Sequence, residues 1–360
     1  MMEGMRSQSV LLTLVALSAC FMIWVLTTSS SPPAVVSFSS IDCSLKIPSS
    51  APLCPAACSL LEPRPASFTA NRLDLSLRQR FVDGMLDVNA MGLATFTNAG
   101  VSATWVPMNG FIVAMLSHYQ RLWGISGAAG EIGVHWADYF IPIAITARQD
   151  ELLWVLDVFE QQEKNVDRSG QGDYNIFMSR CSTLSLHEGN LLVSKMASTE
   201  MTTGRLCVLV PQRFRFLSID GGHSRGTVYS DLAFAECQLA DGGIAAVDDY
   251  SHAYWPGVHE GVVSYFNDHP DSRLAPFLLA NNKLYITTKT HHLRWLHAMT
   301  HEEFWDTGCL SRPFCIEAPG KNGGNFAKFQ LAGSGIAVAE HRHFNLTVAH
   351  QKWSAWLDAI

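Results

Sequence analysis

Short apolar runs that end in a carboxylate recur through the middle of the chain. They are 152–156 before Asp157, 216–219 before Asp220, and 244–247 before Asp248 and Asp249. Runs of this length are typical of buried strands in a parallel sheet. Between the last two runs, Val228, Leu232 and Leu239 recur at helical spacing. We expect Asp241-Gly242-Gly243 to end that helix, because glycine takes the left-handed geometry of a helix terminus. The pattern predicts a strand–helix–strand unit with a right-handed crossover.

Four further strands complete the pattern. We predict them at 127–132 with a turn at Gly133, at 191–195, at 275–279 and at 283–287. Helices are predicted at 71–86, at 111–122, from Tyr139 onwards, and from 256 to about 266. Pro142 fits the third of these only within its first turn, since proline lacks the N–H that an inner helical position donates. Strands and helices that alternate in this way predict an α/β fold.

The carboxylates at the last two strand ends predict a shared site. The carboxyl ends of parallel strands lie along one edge of a sheet, so Asp220, Asp248 and Asp249 are expected to converge there. Three hard oxygen donors suit Mg²⁺ or another divalent cation that keeps some water or substrate oxygen as ligands. A simpler interpretation is that these residues cap the loops that follow the strands.

Four segments of this unit form a motif set. They are Ile219–His223 (IDGGH), Asp231, Leu239–Gly243 (LADGG) and Val247–Tyr250 (VDDY). Together they resemble the second half of a class I S-adenosylmethionine-dependent methyltransferase, in the branch with metal-dependent sugar and macrolide O-methyltransferases and, more distantly, catechol-type enzymes. The resemblance covers about residues 110–290. It implies a Rossmann-like, mostly parallel seven-stranded sheet with an antiparallel last strand, helices on both faces, and S-adenosylmethionine as cofactor.

The first two strands supply candidate cofactor-binding residues. Glu131-x-Gly133 resembles the family's first motif, in which the glycine lets the backbone approach the methionine part and ribose of the cofactor. His135 and Ala137 replace the later glycines of that motif, and His135 is expected to line the pocket. Asp157 is placed to bind a ribose diol. The same arrangement serves nicotinamide dinucleotides, but Glu-x-Gly in place of Gly-x-Gly-x-x-Gly favours adenosylmethionine.

The later loops supply the remaining candidates. The resemblance places the adenine near Ser198, and Asp220 is expected to serve both cofactor binding and catalysis. His223 stands where catechol-type relatives have a general base, and its pKa suits removal of a hydroxyl proton. His223 as a helix cap, and His252 as the base, are the alternatives. Residues 165–173 resemble an insertion of this branch and are read as a lid, a substrate loop or a plain solvated loop.

Composition excludes some classes of protein. The chain has 360 residues, of which 48% are hydrophobic, which is too apolar for a disordered protein. Its formal net charge of −7 gives no reason to expect nucleic acid as a partner. The resemblance implies a hydroxyl-bearing small molecule or glycan as the partner of the site.

The N-terminus predicts attachment to a membrane. Residues 10–26 are apolar and uncharged, at the lower length limit for a spanning helix. Arg6 on the short side places the N-terminus in the cytoplasm by the positive-inside rule. We therefore expect a tail at 1–9, an uncleaved signal-anchor at 10–26, a Ser/Pro-rich stalk at 27–70, and a catalytic domain in the secretory lumen of the Golgi or ER. A cleaved signal of a secreted protein and an organelle-targeting leader are the alternatives.

Cysteines and a glycosylation triplet are compatible with that address. Two of Cys43, Cys54 and Cys58 could pair in an oxidising lumen, and Cys309 with Cys315 is a second candidate pair. Asn345-Leu-Thr is an N-glycosylation acceptor sequence.

The predicted activity is metal-assisted O-methylation of a hydroxyl on a small molecule or glycan. It would reside in a domain at 111–290, after a helical segment at 71–110 and before an extension at 291–360 that caps the domain. The alternatives are a metal-independent methyltransferase of the same fold and a lumenal domain that binds a glycan or protein without catalysis.

Overall fold

The computed structural model describes residues 105–148, 150–183, 191–201, 210, 212–301 and 330–339. The predicted signal-anchor, the stalk, the helix at 71–86, the candidate cysteine pairs and the Asn345 triplet lie outside these residues. Among the helices that the structure describes, none combines the length and the apolar character needed to cross a bilayer.

In the described part of the chain, eight strands form one sheet, in the order β10-β6-β7-β5-β4-β1-β2-β3. The strands are β1 (Ala128–Ile132), β2 (Leu153–Asp157), β3 (Leu191–Lys195), β4 (Phe214–Ile219), β5 (Leu239–Val247), β6 (Leu274–Ala280), β7 (Lys283–Thr288) and β10 (Ala337–Ala339). A separate short hairpin joins β8 (Gln330–Leu331) to β9 (Ser334–Gly335).

The pairing confirms a mostly parallel sheet with an antiparallel seventh strand. Strands β3, β2, β1, β4 and β5 are parallel neighbours, whereas β7 lies antiparallel between β5 and β6. The predicted positions of β1 to β4, β6 and β7 agree with the structure to within a few residues at either end. The eighth strand, β10, pairs in parallel with β6 and comes from the C-terminal extension.

Helices cover both faces of the sheet. They are α1 (Trp105–Leu122), α2 (Phe140–Ile145), α3 (Tyr174–Thr183), α4 (Arg225–Gln238), α5 (Pro256–Asp268) and α6 (His292–His301). Alternate residues of β2 enter different cores: Leu153 and Val155 pack with α1, α2, α3 and α6, whereas Trp154 and Leu156 pack with α4 and α5. Pro142 lies in the first turn of α2, as predicted. Burial on both faces explains the continuous apolar runs of the strands.

The glycine pair at 242–243 corrects the prediction for the end of α4. The helix ends at Gln238, and Gly242 and Gly243 lie inside β5 rather than at the helix terminus. Gly242 has a φ of +76°, and a Cβ there would lie 2.6 Å from Ile125 Cδ1 and 2.9 Å from the His291 ring. Glycine is thus needed for an irregularity within the strand, where the β4–β5 register shifts.

Candidate active site

A cleft of about 440 Å³ opens at the carboxyl edge of the sheet. Its walls are the loops that follow β1, β2, β3, β4 and β5, including the 162–172 part of the loop between β2 and α3. Cofactor sites of α/β sheets lie at this edge. Most of the site residues predicted from the sequence line the cleft: Glu131, Gly133, His135, Asp157, Ser198, Asp220, His223 and Asp249.

The loop after β1 is held in an unusual backbone conformation. Gly133 has a φ of +79°, and a Cβ there would overlap the Asp220 carbonyl, so the β1 and β4 loops can meet only at a glycine. His135 and Ala137, which replace expected glycines, also have positive φ values of 47° and 74°. Left-handed geometry at a residue with a Cβ costs on the order of 1 kcal/mol, so the chain keeps the shape of a glycine loop without the glycines.

Asp157 joins the loops after β1 and β2. Its carboxylate accepts hydrogen bonds from the backbone N–H of His135 at 2.7 Å and of Phe159 at 2.6 Å. Burial raises the pKa of Asp157, and these two backbone donors act against that increase. Each carboxylate oxygen has two lone pairs, so acceptor capacity remains toward the cleft.

Glu131 is a buried carboxyl group whose oxygens have no hydrogen-bond partner among the described residues. Burial raises its pKa to about 8; the Lys283 ammonium and the nearby Ser218 hydroxyl lower it less than burial raises it. A buried acceptor without a donor is costly, and a ligand that brings an N–H or an ammonium group would remove that cost. Glu131 is therefore the residue of the cleft that most needs a ligand.

Ser198 lies on the wall of the cleft at the start of a 3-10 turn, Ser198–Glu200, that follows β3. Its hydroxyl interacts with the carboxyl group of Asp231, a buried residue of α4 whose pKa burial raises to about 7. The resemblance predicts the adenine at this wall, and Ser198 lines the cleft there.

Three side chains from the loops after β4 and β5 come together in the cleft. One donor atom from each of Asp220, His223 and Asp249 lies within 4.8 Å of the other two. His223 Nε2 is 3.1 Å from Asp249 Oδ2, and His223 Nδ1 is 3.1 Å from Asp167 Oδ2. Burial acts to lower the pKa of His223, but the two carboxylates outweigh it, so the pKa is raised.

Asp248 is placed differently from the predicted metal set. Its carboxylate forms an ion pair with Lys283, which is fully buried at the start of β7 and lies 3.9 Å over the Tyr139 ring. Asp248 directly follows β5 and does not line the cleft, whereas Asp249, at a φ of +55°, does. The two adjacent carboxylates therefore lie apart. Among the described residues, the group of possible metal ligands contains Asp249 but not Asp248.

Lys283 compensates more than one carboxylate. Its positive charge opposes the rise in pKa that burial and the Asp248 charge cause at Asp220, and it acts on Glu131 in the same way. Four ionisable groups thus share one desolvated region below the cleft: Glu131, Asp220, Asp248 and Lys283.

No local pattern in the sequence points to Asp167, Lys283 or Trp255 as residues of the site. The Trp255 ring stacks on His223 with centroids 4.3 Å apart and an interplanar angle of 18°. Asp167 falls in the loop interpreted as a lid, but it lies 56 residues from His223, so no local spacing could connect them. His252, the alternative base, lies exposed beside Asp249 and outside the lining of the cleft.

Comparison with known proteins gives structural matches only. No family model and no curated protein matches the chain. Among solved structures, the O-methyltransferase NovP has 14% identity and a TM-score of 0.46, with 59% of this chain and 99% of NovP covered. CalS11, a TDP-rhamnose 3'-O-methyltransferase of calicheamicin biosynthesis, has 14% identity and a TM-score of 0.40, with coverages of 64% and 97%.

A third solved structure holds a metal ion. The methyltransferase MycE of the mycinamycin pathway, in complex with Mg, SAH and mycinamycin VI, has 15% identity and a TM-score of 0.32, with 48% of each chain covered. These proteins are of the branch that the motif set resembles. Similarity of this extent does not by itself assign an activity, a cofactor or an acceptor to the chain.

The pKa of Glu131 predicts a pH dependence of stability. The unfolded carboxyl group ionises near 4.5 and the folded one near 8, so the unfolded state gains stability as pH rises between these values. Glu131 should therefore contribute up to about 4 kcal/mol to the stability that the wild type loses from pH 5 to pH 8, and the loss in Glu131→Gln should be smaller by that amount, since Asp231 still titrates there. Denaturant unfolding at both pH values measures it. Exposed Glu163→Gln is the control, and parallel pH profiles for wild type and Glu131→Gln would contradict the assignment.

Loss of the buried cation should destabilise the fold. Lys283→Met leaves Asp248 charged and unpaired in a desolvated region, and we expect a cost of about 3–5 kcal/mol. Adding Asp248→Asn should recover much of this, because the uncompensated charge is then gone. Lys289→Met, at an exposed lysine just beyond the same strand, should have little effect. Equal stability of the two single lysine variants in urea unfolding would refute a structural role for Lys283.

Proposed function

We propose that this chain is an S-adenosylmethionine-dependent O-methyltransferase. The observation that carries the proposal is one cleft lined by two chemically different groups of side chains, which we name its first and second ends. The first is the buried carboxyl group of Glu131, without a hydrogen-bond partner among the described residues, together with Asp157; the second is the charged group of Asp220, His223 and Asp249. The first end suits a cationic cofactor, and the second suits activation of a hydroxyl group.

The residues of the first end fit the cofactor. A volume of about 440 Å³ is within the range of small-molecule sites. The amino group of the methionine part would give Glu131 the donor that it lacks. A positive charge at that place favours the ionised form of Glu131, and the resulting carboxylate would also attract the sulfonium of the cofactor. Asp157 has acceptor capacity for a ribose diol. The wall at Ser198 is left for the adenine.

His223 is the group proposed to take the proton of the acceptor. As the acceptor oxygen forms its bond to the methyl carbon, the carbon–sulfur bond breaks and its electron pair stays on sulfur. The hydroxyl proton passes to His223 Nε2. The products are a methyl ether, S-adenosylhomocysteine and a protonated imidazole, so atoms and charge balance. Catalysis then consists mainly of positioning and of electrostatic activation of oxygen.

The residues of the second end also fit a divalent cation. Two carboxylates and one imidazole within 4.8 Å form a suitable donor set, and Asp220 and Asp249 would hold the ion, with Asp248 kept apart by Lys283. When bound, Mg²⁺ or another divalent cation would lower the pKa of the acceptor hydroxyl. In a metal-independent variant of this proposal, His223 and the buried Lys283 suffice to activate the acceptor hydroxyl.

The acceptor and the location are proposed from the sequence. A hydroxyl of a sugar or another small molecule is the acceptor class that the motif resemblance supports. The apolar segment at 10–26 and the stalk that follows support an enzyme anchored in the membrane, with its domain in the secretory lumen.

One observation favours a second candidate, a domain that binds a ligand without catalysis. The His135 ring lies in the cleft, stacked on Trp136 with centroids 4.5 Å apart, at a position where the resemblance expects glycine. If His135 occupies the space of the cofactor, the fold is retained but the chemistry is lost.

Calorimetric titration of the full chain with S-adenosylmethionine tests the proposal. We expect micromolar binding, weakened about tenfold or more in Glu131→Gln, because the cationic cofactor then loses its charged partner. The exposed variant Glu163→Gln should bind like wild type. A parallel titration with Mg²⁺ should give a signal that Asp249→Asn abolishes; cofactor binding without that signal would indicate the metal-free variant.

The outcome that contradicts the proposal is equally clear. If the folded wild-type chain binds no adenosylmethionine, the proposed methyltransferase activity is refuted and the second candidate, a domain that binds a ligand without catalysis, remains. In that case His135→Gly should restore affinity if the ring is what blocks the cleft.

A further inference from the structure

The loop between β2 and α3 is folded by its own side chains. Asn165 Nδ2 donates hydrogen bonds to Gln162 Oε1 at 3.0 Å, to the Gly170 carbonyl at 3.1 Å and to the Ser169 carbonyl. These bonds close 162–170 into a compact unit, and they fix the direction in which Asp167 points.

Asp167 divides its two carboxylate oxygens between this loop and the loop after β4. Its Oδ1 accepts the Ser169 N–H at 3.0 Å and the Ser169 hydroxyl at 2.6 Å. Its Oδ2 accepts the His223 backbone N–H and faces His223 Nδ1 at 3.1 Å. Burial acts to raise the pKa of Asp167, but these hydrogen bonds outweigh it and the pKa is lowered, so the carboxylate is ionised at neutral pH.

The His223 ring is restrained on three sides. Trp255 fixes its plane by stacking, Asp167 faces Nδ1, and Asp249 faces Nε2. A neutral imidazole carries one proton, and the nitrogen that holds it is decided by which partner is the stronger acceptor. Only a proton on Nδ1 leaves the Nε2 lone pair available for a hydroxyl at the cleft.

We propose that Asp167 is the positioning residue of His223, which it holds with the proton on Nδ1 and with Nε2 directed to the acceptor end of the cleft. The inference rests on the proposed function, because it gives the orientation of His223 a catalytic purpose. A carboxylate that orients a histidine base is a general device of nucleophile and base activation. Here the carboxylate comes from a different strand connection than the base.

The same loop also contacts the cofactor end. A Cβ at Gly170 would lie 3.4 Å from the His135 ring, and one at Gly172 would lie 2.8 Å from Asp157 Oδ1. Residues 165–172 therefore reach from the ribose-binding carboxylate to the base. Asp167 holds its end of this segment to the loop after β4.

Nitrogen-15 NMR of the full chain, labelled at histidine, measures the tautomer directly. The His223 signals are assigned by their loss in His223→Gln and are read at a pH where the ring is neutral. We expect the Nδ1–H tautomer in Asp249→Asn, where the carboxylate that competes at Nε2 is neutral, as it would be beside a cation or an acceptor. In Asp167→Ala and Asp167→Asn we expect the Nε2–H tautomer, because Asp249 is then the ionised partner that remains to the ring among the described residues. Asp173→Ala, which removes a carboxylate from the same loop that caps α3, should leave the wild-type tautomer.

The possible outcomes separate this inference from the proposed function. A ring with the proton on Nε2 in Asp249→Asn, or one with the proton on Nδ1 in Asp167→Asn, would overturn the positioning role even if the chain binds adenosylmethionine. Adenosylmethionine affinity is measured on the same samples, so that a change of tautomer and a loss of binding are recorded separately. Lack of binding by wild type would instead overturn the function, whatever the tautomer.

Discussion

The buried ammonium of Lys283 is the interaction on which the rest of the site depends. Three carboxyl groups approach one another below the edge of the sheet, and without a cation they could not all be desolvated there. Lys283 pairs with Asp248 and lowers the pKa of both Glu131 and Asp220 against the effect of burial. Lys283 begins β7, the antiparallel strand between β5 and β6, so it lies at the same edge of the sheet as the carboxylates that follow the parallel strands.

This pairing also explains why two adjacent aspartates have different tasks. Asp248 is held inward by Lys283, and its Oδ1 accepts the backbone N–H of Asp249 at 2.8 Å. That bond helps Asp249 keep its left-handed backbone, which the Asn282 amide supports from the β6–β7 turn at 2.7 Å. One aspartate is therefore held in the protein interior and the other faces the cleft. A pair of carboxylates at a strand end is not automatically a pair of metal ligands.

The sequence was most informative where the signal was local. Runs that end in Asp157 and Asp220 predicted strand ends, and hence which carboxylates share an edge, because strand direction alone decides this. It was least informative where the partner lies far along the chain. Lys283 begins a strand in which polar and apolar residues alternate, so its burial is not evident from the sequence. Asp167 and His223 are separated in the sequence by β3 and β4 and come together only in the folded chain. The Gly242-Gly243 pair predicted a helix terminus because glycine serves helix ends and strand irregularities equally well, and tertiary contacts decided between them.

At the proposed acceptor end, Asp249 has competing partners, and the 162–173 loop supplies a second partner for His223. Asp249 is within 3.1 Å of His223 Nε2 and is also a donor of the group that suits a divalent cation. Whatever neutralises Asp249, a cation or an acceptor hydroxyl, removes its hold on the imidazole. Trp255 then fixes the plane of the ring but not the position of its proton, since stacking is indifferent to the tautomer. Among the described residues, Asp167 is then the partner that remains, at Nδ1, and it leaves the Nε2 lone pair free. This carboxylate lies in a loop and not at the end of a strand.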